Sequence, residues 1–215
     1  MVITAVHVDV LRSAARFDAC LASVSADRRA KVAALRHRED RQLSLCAALA
    51  LDACLRTVGL CEASEPITRT AYGKPQLSAH PQWQFSLSHS GEWAVCALDA
   101  SPVGIDIERR RPLKAAIAER YFSSDEAAYL NTLTAEEREK EFFRLWTAKE
   151  SLLKAMGTGL SGGMAVPIGC GERLTAPSPW KLREYALDGY ALTVCGQSAF
   201  PDEITFSSCD SVLPR

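Results

Sequence analysis

Apolar residues recur along this chain with two different periods, and the two periods separate helices from strands. Over RQLSLCAALALDACLRTVGL, residues 41–60, they cover nearly every side of a helical projection, which predicts a buried helix stopped at Gly59. In EEREKEFFRLWTAKESLLKAMG, Phe142, Leu145, Trp146, Leu152, Leu153 and Met156 form a stripe at helical spacing, and Gly157 supplies a stop. Alternation by two marks strands from Val103 to Glu108, in GEWAVCAL from Gly91 and in GYALTVCG from Gly189.

These elements repeat. Val6-His7-Val8-Asp9-Val10 resembles Val103-Gly104-Ile105-Asp106-Ile107, and the separation from Asp9 to Gly91 nearly equals that from Asp106 to Gly189. Each glycine-led strand also has a tryptophan upstream, Trp83 and Trp180. The pattern predicts an α/β (α+β) fold of two similar subdomains, residues 1–101 and 102–215, meeting near Pro102.

Composition narrows the function classes. With 47% hydrophobic and 24% charged residues in 215, the chain has the make-up of a soluble globule with a real core. No apolar run approaches the roughly 20 residues that span a bilayer, and MVITAVHVDVLR is no secretory leader, so a cytoplasmic protein without a membrane partner is expected. Eight cysteines without a C-x-x-C pair, several inside apolar segments, read as reduced buried thiols. A net charge of -1 argues against a nucleic-acid partner. That total hides a basic run, RRAKVAALRHREDR, in which Arg28, Arg29, Lys31, Arg36, Arg38 and Arg41 face only Glu39 and Asp40. A helix with a cationic face of this kind suits a phosphorylated ligand.

The carboxylates come next. A strand through Val103–Glu108 sends Val103, Ile105 and Ile107 to one face and Gly104, Asp106 and Glu108 to the other. Two acids side by side repel unless a cation neutralises them, and hard oxygen ligands on a rigid element suit Mg²⁺, with Gly104 leaving that face open. On the long helix, Glu150 and Lys154 stand four apart on a polar face with Thr147 and Ser151. If that helix packs on the Asp106 strand, Glu150 becomes a third carboxylate and Lys154 a cation for phosphate charge.

FSLSHSGEW places Ser86, Ser88, His89 and Ser90 in a polar turn able to hold phosphate oxygens, and it contains no G-x-S-x-G nucleophile elbow. Ala71-Tyr72-Gly73-Lys74-Pro75 is a second turn, with an aromatic and a cation that could cover a base or sugar.

Together, YGKP, FSLSHSGEW, PVGIDIE, RYFSSDE, LWTAKESLLKAMGTGL and GYALTVCG, in this order, resemble the Sfp-type 4'-phosphopantetheinyl transferases over nearly the whole chain. The resemblance implies an intramolecular pseudo-dimer, expected to be a monomer, with coenzyme A in the cleft between its halves. It implies Asp106, Glu108 and Glu150 as ligands of Mg²⁺, with Mn²⁺ as the alternative, and Lys154 as a phosphate contact. Ser88 and His89 would lie near the 3'-phosphate, Tyr72, Gly73, Lys74 and Pro75 around the adenine, and Arg28 and Lys31 at the nucleotide phosphates. Glu150, Glu126 or a metal-bound water would serve as base. Two departures stand out: Leu43 where some relatives have an arginine, with Arg41 as a substitute, and Gly162-Gly163-Met164 where the related carrier-docking segment is bulkier.

The implied reaction moves phosphopantetheine from coenzyme A to a serine of an acyl, peptidyl or aryl carrier protein and releases 3',5'-ADP. A nucleophile on the partner explains why the chain carries no activated serine or cysteine. The alternatives are a Mg²⁺-dependent phosphohydrolase or nuclease, for which one short basic run on an otherwise acidic chain gives little support, and a non-catalytic module that binds coenzyme A or carrier. A degenerate site would suit the last, yet all three carboxylates and the lysine are present.

Overall fold

A computed structural model describes residues 1–113, 121–159 and 166–207. The Gly162-Gly163-Met164 departure lies outside the described residues. In chain order the strands are β1 (Val2–His7), β2 (Ile67–Arg69), β3 (Pro75–Leu77), β4 (Gln84–Ser90), β5 (Trp93–Asp99), β6 (Val103–Arg109), β7 (Lys181–Glu184), β8 (Tyr190–Gly196) and β9 (Thr205–Ser207). The helices are α1 (Ala14–Ala22), α2 (Ala26–Ala34), α3 (Arg38–Arg56), α4 (Ser124–Asn131) and α5 (Ala135–Met156). None of the described helices is long and apolar enough to cross a membrane.

Two sheets pack face to face with helices outside each. The first has the order β4-β5-β1-β9 and the second β6-β8-β7, while β2 and β3 form a separate hairpin. Strand alternation sorts the side chains into layers. Ile3, Ala5, Val95 and Ala97 from the first sheet meet Val103, Ile105, Ile107, Leu192 and Val194 from the second. On the outer face of the first sheet, Val6, Phe85, Cys96 and Leu98 pack on Leu45, Cys54 and Leu55 of α3. On the outer face of the second, Ala191 and Cys195 pack on Leu145, Ala148, Leu152 and Ala155 of α5. The helix caps follow local chemistry: Thr134 and Glu137 form a capping box at the start of α5, and Gly157, at φ +75°, ends it as expected.

Several expectations change. The Val6–Val10 segment is not a strand, because β1 ends at His7, whose Nδ1 accepts the Asp9 amide at 3.3 Å and caps a 3₁₀ turn over Val8–Leu11. The basic run is not one helix: Leu35 and His37 are extended, splitting it into α2 and α3, and the Arg41 Nε donates to the freed Leu35 carbonyl at 2.6 Å. FSLSHS is a strand, β4, and the turn comes only at Gly91. Met156, at the last turn of α5, is exposed instead of completing the apolar stripe. Gly104 does not leave room for a ligand: a Cβ there would collide with the Ser151 carbonyl oxygen and the Ala155 nitrogen, so what it admits is the backbone of α5. Finally, β9 runs parallel to β1, so residues 205–207 pair with the first sheet across the expected division at 102.

Candidate active site

β6 pairs antiparallel with β8 and lays its Asp106 face against α5. Asp106 is only 4% exposed. Its Oδ1 accepts from Lys154 Nζ at 2.6 Å and from Ser88 Oγ at 2.7 Å, while Lys154 also donates to the Ile105 carbonyl at 3.1 Å. Its Oδ2 is buried and finds no hydrogen-bond partner among the described residues. An unpartnered buried carboxylate oxygen is costly, so it marks a place for a ligand.

Glu108 and Glu150 share that environment. Burial raises the proton affinity of Glu108, and the charge of Asp106 adds to it, against an Oγ donation from Ser90 at 2.9 Å. Glu150 is raised first by burial and then by Asp106, with Glu108 adding and Lys154 opposing. The structure thus brings the three expected carboxylates within mutual electrostatic reach, on β6 and on the α5 face that carries Lys154. Among the described residues no three His, Cys, Asp or Glu side chains are drawn together as a ready metal cluster. Lys154 holds Asp106 instead. The donor set nonetheless fits Mg²⁺: hard oxygens, one of them orphaned, in a pocket that penalises their uncompensated charge.

β4 connects this centre to a cleft. Its Ser86, Ser88 and Ser90 alternate toward β6, and its Phe85, Leu87 and His89 alternate toward α3. Beside β4, drawing on both of its sides, lies a cleft of about 550 Å³, lined by Arg28, Lys31, Arg69, Ser88, His89 and Lys154 among others. Its cations disfavour one another. Burial and then the charges of Arg28 and Arg69 depress the proton affinity of Lys31, and burial followed by Lys154 and Lys31 does the same for His89. Arg28 is lowered by burial and supported by Glu62. A concentration of partly buried positive charge is built for an anion.

Sequence reasoning overlooked three residues here. Glu62, 1% exposed, accepts from Ser25 N at 2.8 Å and Ser25 Oγ at 3.0 Å and lies 3.8 Å from Arg28 Nε, so it fixes both the start of α2 and a cleft cation. Arg69, on a short exposed strand, carried no signal. Ser44 lines the cleft with its Oγ buried and unpartnered among the described residues, next to the Leu43 departure, and it was open to notice as the polar residue in an apolar helix. Arg41 donates its Nε to the Leu35 carbonyl and is not among the residues that line the cleft.

A second space of about 260 Å³ adjoins the first, sharing Pro75, Phe85, Leu87 and Lys154 with it, and is lined also by Tyr72, Gly73, Lys74 and Glu150. The turn carrying these residues forms as expected, with Gly73 at φ +84° and its amide donating to the Thr70 carbonyl. Tyr72 stays largely exposed. Lys74 is different: its Nζ donates to the carbonyls of Val103 at 3.3 Å and Ala155 at 3.2 Å, and burial lowers its pKa to about 8.

Glu126 stands apart from the carboxylates. It is 2% exposed, pairs with the fully buried Lys149 at 2.6 Å, accepts the Ile168 amide at 3.1 Å and closes the capping box of α4 with Ser123. With both oxygens engaged it is a structural anchor, and its surroundings do not support the expectation that it acts as the base. The sequence held the cue, since Ser123-Ser124-Asp125-Glu126 is a capping-box signature.

Acids on one strand beside a cation-lined cleft, in a chain of two similar halves, make a site suited to an anionic ligand. Residues 12–101 match a model described as 4'-phosphopantetheinyl transferase, N-terminal, and residues 102–195 match the 4'-phosphopantetheinyl transferase superfamily model. A 4'-phosphopantetheinyl transferase of Bacillus subtilis is 35% identical, covering 94% of each chain. The 4'-phosphopantetheinyl transferase Sfp of Bacillus subtilis strain 168 is 32% identical over 88% of this chain and 90% of its own. The psf-1 enzyme of Bacillus pumilus is 39% identical over 66% of each. The chain belongs to the 4'-phosphopantetheinyl transferase superfamily and is a transferase of the Sfp type.

Proposed function

We propose that this transferase moves the 4'-phosphopantetheine arm of coenzyme A to a serine of an acyl, peptidyl or aryl carrier protein, with Mg²⁺ at Asp106, Glu108 and Glu150, and releases 3',5'-ADP. The observation that carries the reading is the buried, unpartnered Oδ2 of Asp106, flanked by two carboxylates of raised proton affinity beside a cation-lined cleft. The enzyme would act as a cytoplasmic monomer.

The coenzyme's 3'-phosphate suits the first cleft, where Arg28, Lys31 and His89 offer donors and Ser44 offers an unused hydroxyl. Its adenine suits the adjoining space against the turn from Tyr72 to Pro75. The pyrophosphate then reaches Lys154, which lines both spaces and can offset charge on the non-bridging oxygens. Bound Mg²⁺ would supply charge neutralisation and polarisation of the attacked phosphorus. The carrier serine oxygen forms the new bond to the phosphorus that bears the pantetheine arm. The bond from that phosphorus to the bridging oxygen of 3',5'-ADP breaks, and the serine proton leaves to a base. Glu150 is the better placed base, because burial and neighbouring negative charge raise its affinity for a proton.

Intact-mass measurement of several apo carrier proteins, incubated with enzyme, coenzyme A and Mg²⁺, tests this. One added phosphopantetheine on a carrier is the expected result. Carrier-independent cleavage of coenzyme A with no carrier modified would replace the proposal with a phosphohydrolase.

A further inference from the structure

The free edge of β6 is closed in an unusual way. Its other edge is hydrogen-bonded to β8, and the next strand in space, β4, belongs to the first sheet. Serine hydroxyls stand between β4 and β6. Ser86 Oγ accepts the Ile105 amide at 3.1 Å, Ser88 Oγ donates to Asp106 at 2.7 Å, and Ser90 Oγ donates to Glu108 Oε2 at 2.9 Å while accepting the Arg109 amide at 3.1 Å. The pairings ascend together along both strands, so the ladder is parallel and is made by side chains. It satisfies the buried Ile105 amide and the exposed Arg109 amide on that edge, and it joins the two halves without merging their sheets.

Ser90 is the rung that does both tasks with one atom. Its oxygen is oriented by a backbone amide and its proton is directed at a carboxylate, so the position of Glu108 is tied to the backbone of both strands. Among the described residues, the hydrogen bond of Ser86 Oγ is to the Ile105 amide and none is to an acid. We infer that Ser90 is a positioning residue, which holds the Glu108 carboxylate in the orientation a divalent cation needs, while Ser86 serves only to join the halves. The inference rests on the metal reading proposed above. A donor behind a ligating carboxylate fixes its direction, and loss of such a partner typically weakens metal binding about 10-fold to 100-fold.

Mn²⁺ binding to the full-length protein, measured by electron paramagnetic resonance without coenzyme A, is the direct readout, with thermal unfolding of the metal-free protein beside it. Ser90→Ala should weaken Mn²⁺ binding about 10-fold or more, and Ser90→Thr, which keeps the hydroxyl, should restore it to within about 3-fold. Ser86→Ala should lower the unfolding temperature yet leave Mn²⁺ affinity unchanged. Wild-type Mn²⁺ affinity in Ser90→Ala overturns the inference, as does an equal loss in Ser86→Ala or in Ser90→Thr. Asp106→Asn separates the two readings: if it binds Mn²⁺ as wild type does, the metal assignment itself fails, and the role of Ser90 falls with it.

Discussion

The two halves repeat one plan, a strand (β1 or β6) paired to the second arm of a later hairpin and covered by a long helix, but they place opposite chemistry on it. Partner strands β5 and β8 are each seven residues long, and matching them end to end sets Thr4, opposite Cys96, in the place of Asp106, opposite Thr193. Both side chains face their covering helix. In the first half Cys54 of α3 meets the Thr4 hydroxyl at 3.4 Å, a neutral and fully enclosed contact. In the second, Lys154 of α5 meets the Asp106 carboxylate at 2.6 Å, and one carboxylate oxygen is left over. Val2 stands where Gly104 stands, so only the second half lets the helix backbone lie on its strand. The first half instead developed the cations of α2, held by Glu62, beside its sheet. A duplicated scaffold can thus divide the work on one charged substrate, with acids on one copy and bases on the other.

The sharpest test of that asymmetry is a matched pair of substitutions. Asp106→Asn should reduce transfer about 1,000-fold or more, about 4 kcal/mol of barrier, while Thr4→Val at the equivalent position should leave transfer unchanged. Steady-state rates on one carrier decide it, and equal losses would show that both positions act only through folding. Next in size, Gly104→Ala should destabilise by about 1–3 kcal/mol, because the clash is with helix backbone that no rotamer change relieves. Val2→Ala should cost less, and thermal unfolding of the two compares how closely each helix is set.

Smaller effects separate the two chemistries. Lys31→Met should raise KM for coenzyme A about 10-fold with kcat nearly unchanged, and it should not destabilise the protein, since it relieves crowding with Arg28 and Arg69. The mildest expected effect is on stability without metal. The folded protein raises the pKa of Glu150 above its unfolded value, so at pH 7 the ionised carboxylate opposes folding, and that penalty disappears as pH falls through the folded pKa. Metal-free Glu150→Gln should therefore unfold slightly above wild type at pH 7, at about 2–4 °C per kcal/mol for a chain of this size, with the gap closing toward pH 4. A variant that melts lower at pH 7 would show that Glu150 is already compensated.

Much of this arrangement was legible locally. The long helices, the Gly59 and Gly157 stops, the Tyr72–Pro75 turn and the alternation of Asp106 and Glu108 all follow from short-range periodicity and turn chemistry. The register of the repeat was not. Aligning Gly91 with Gly189 and Asp9 with Asp106 captured the duplication, but the partner strands superpose one residue away from the glycine alignment. The counterpart of Asp106 was hidden for another reason: it is Thr4, inside β1, whereas Asp9 lies in the 3₁₀ turn that follows the strand. Ser86, Ser88 and Ser90 read as a polar turn although Phe85 and Leu87 alternate with them, because His89 and Ser90 interrupt the apolar side just before Gly91. The resemblance offered Glu126 as a base, and the pairing with Lys149 that occupies it comes from a distant helix and is not visible in the local sequence.

The sequence alone determined which residues could carry the chemistry, that Asp106 and Glu108 share a face, that Glu150 and Lys154 are neighbours on one helix, and that the chain repeats itself. Those are relations over a few residues, set by the periods of strand and helix or by self-similarity. Only the tertiary structure decided that α5 sits directly on β6, that β4 serines join the halves, that Glu126 is an anchor and that Glu62 holds Arg28. Each of these depends on which buried groups find partners across the chain, and burial makes such pairings decisive where local propensity is indifferent.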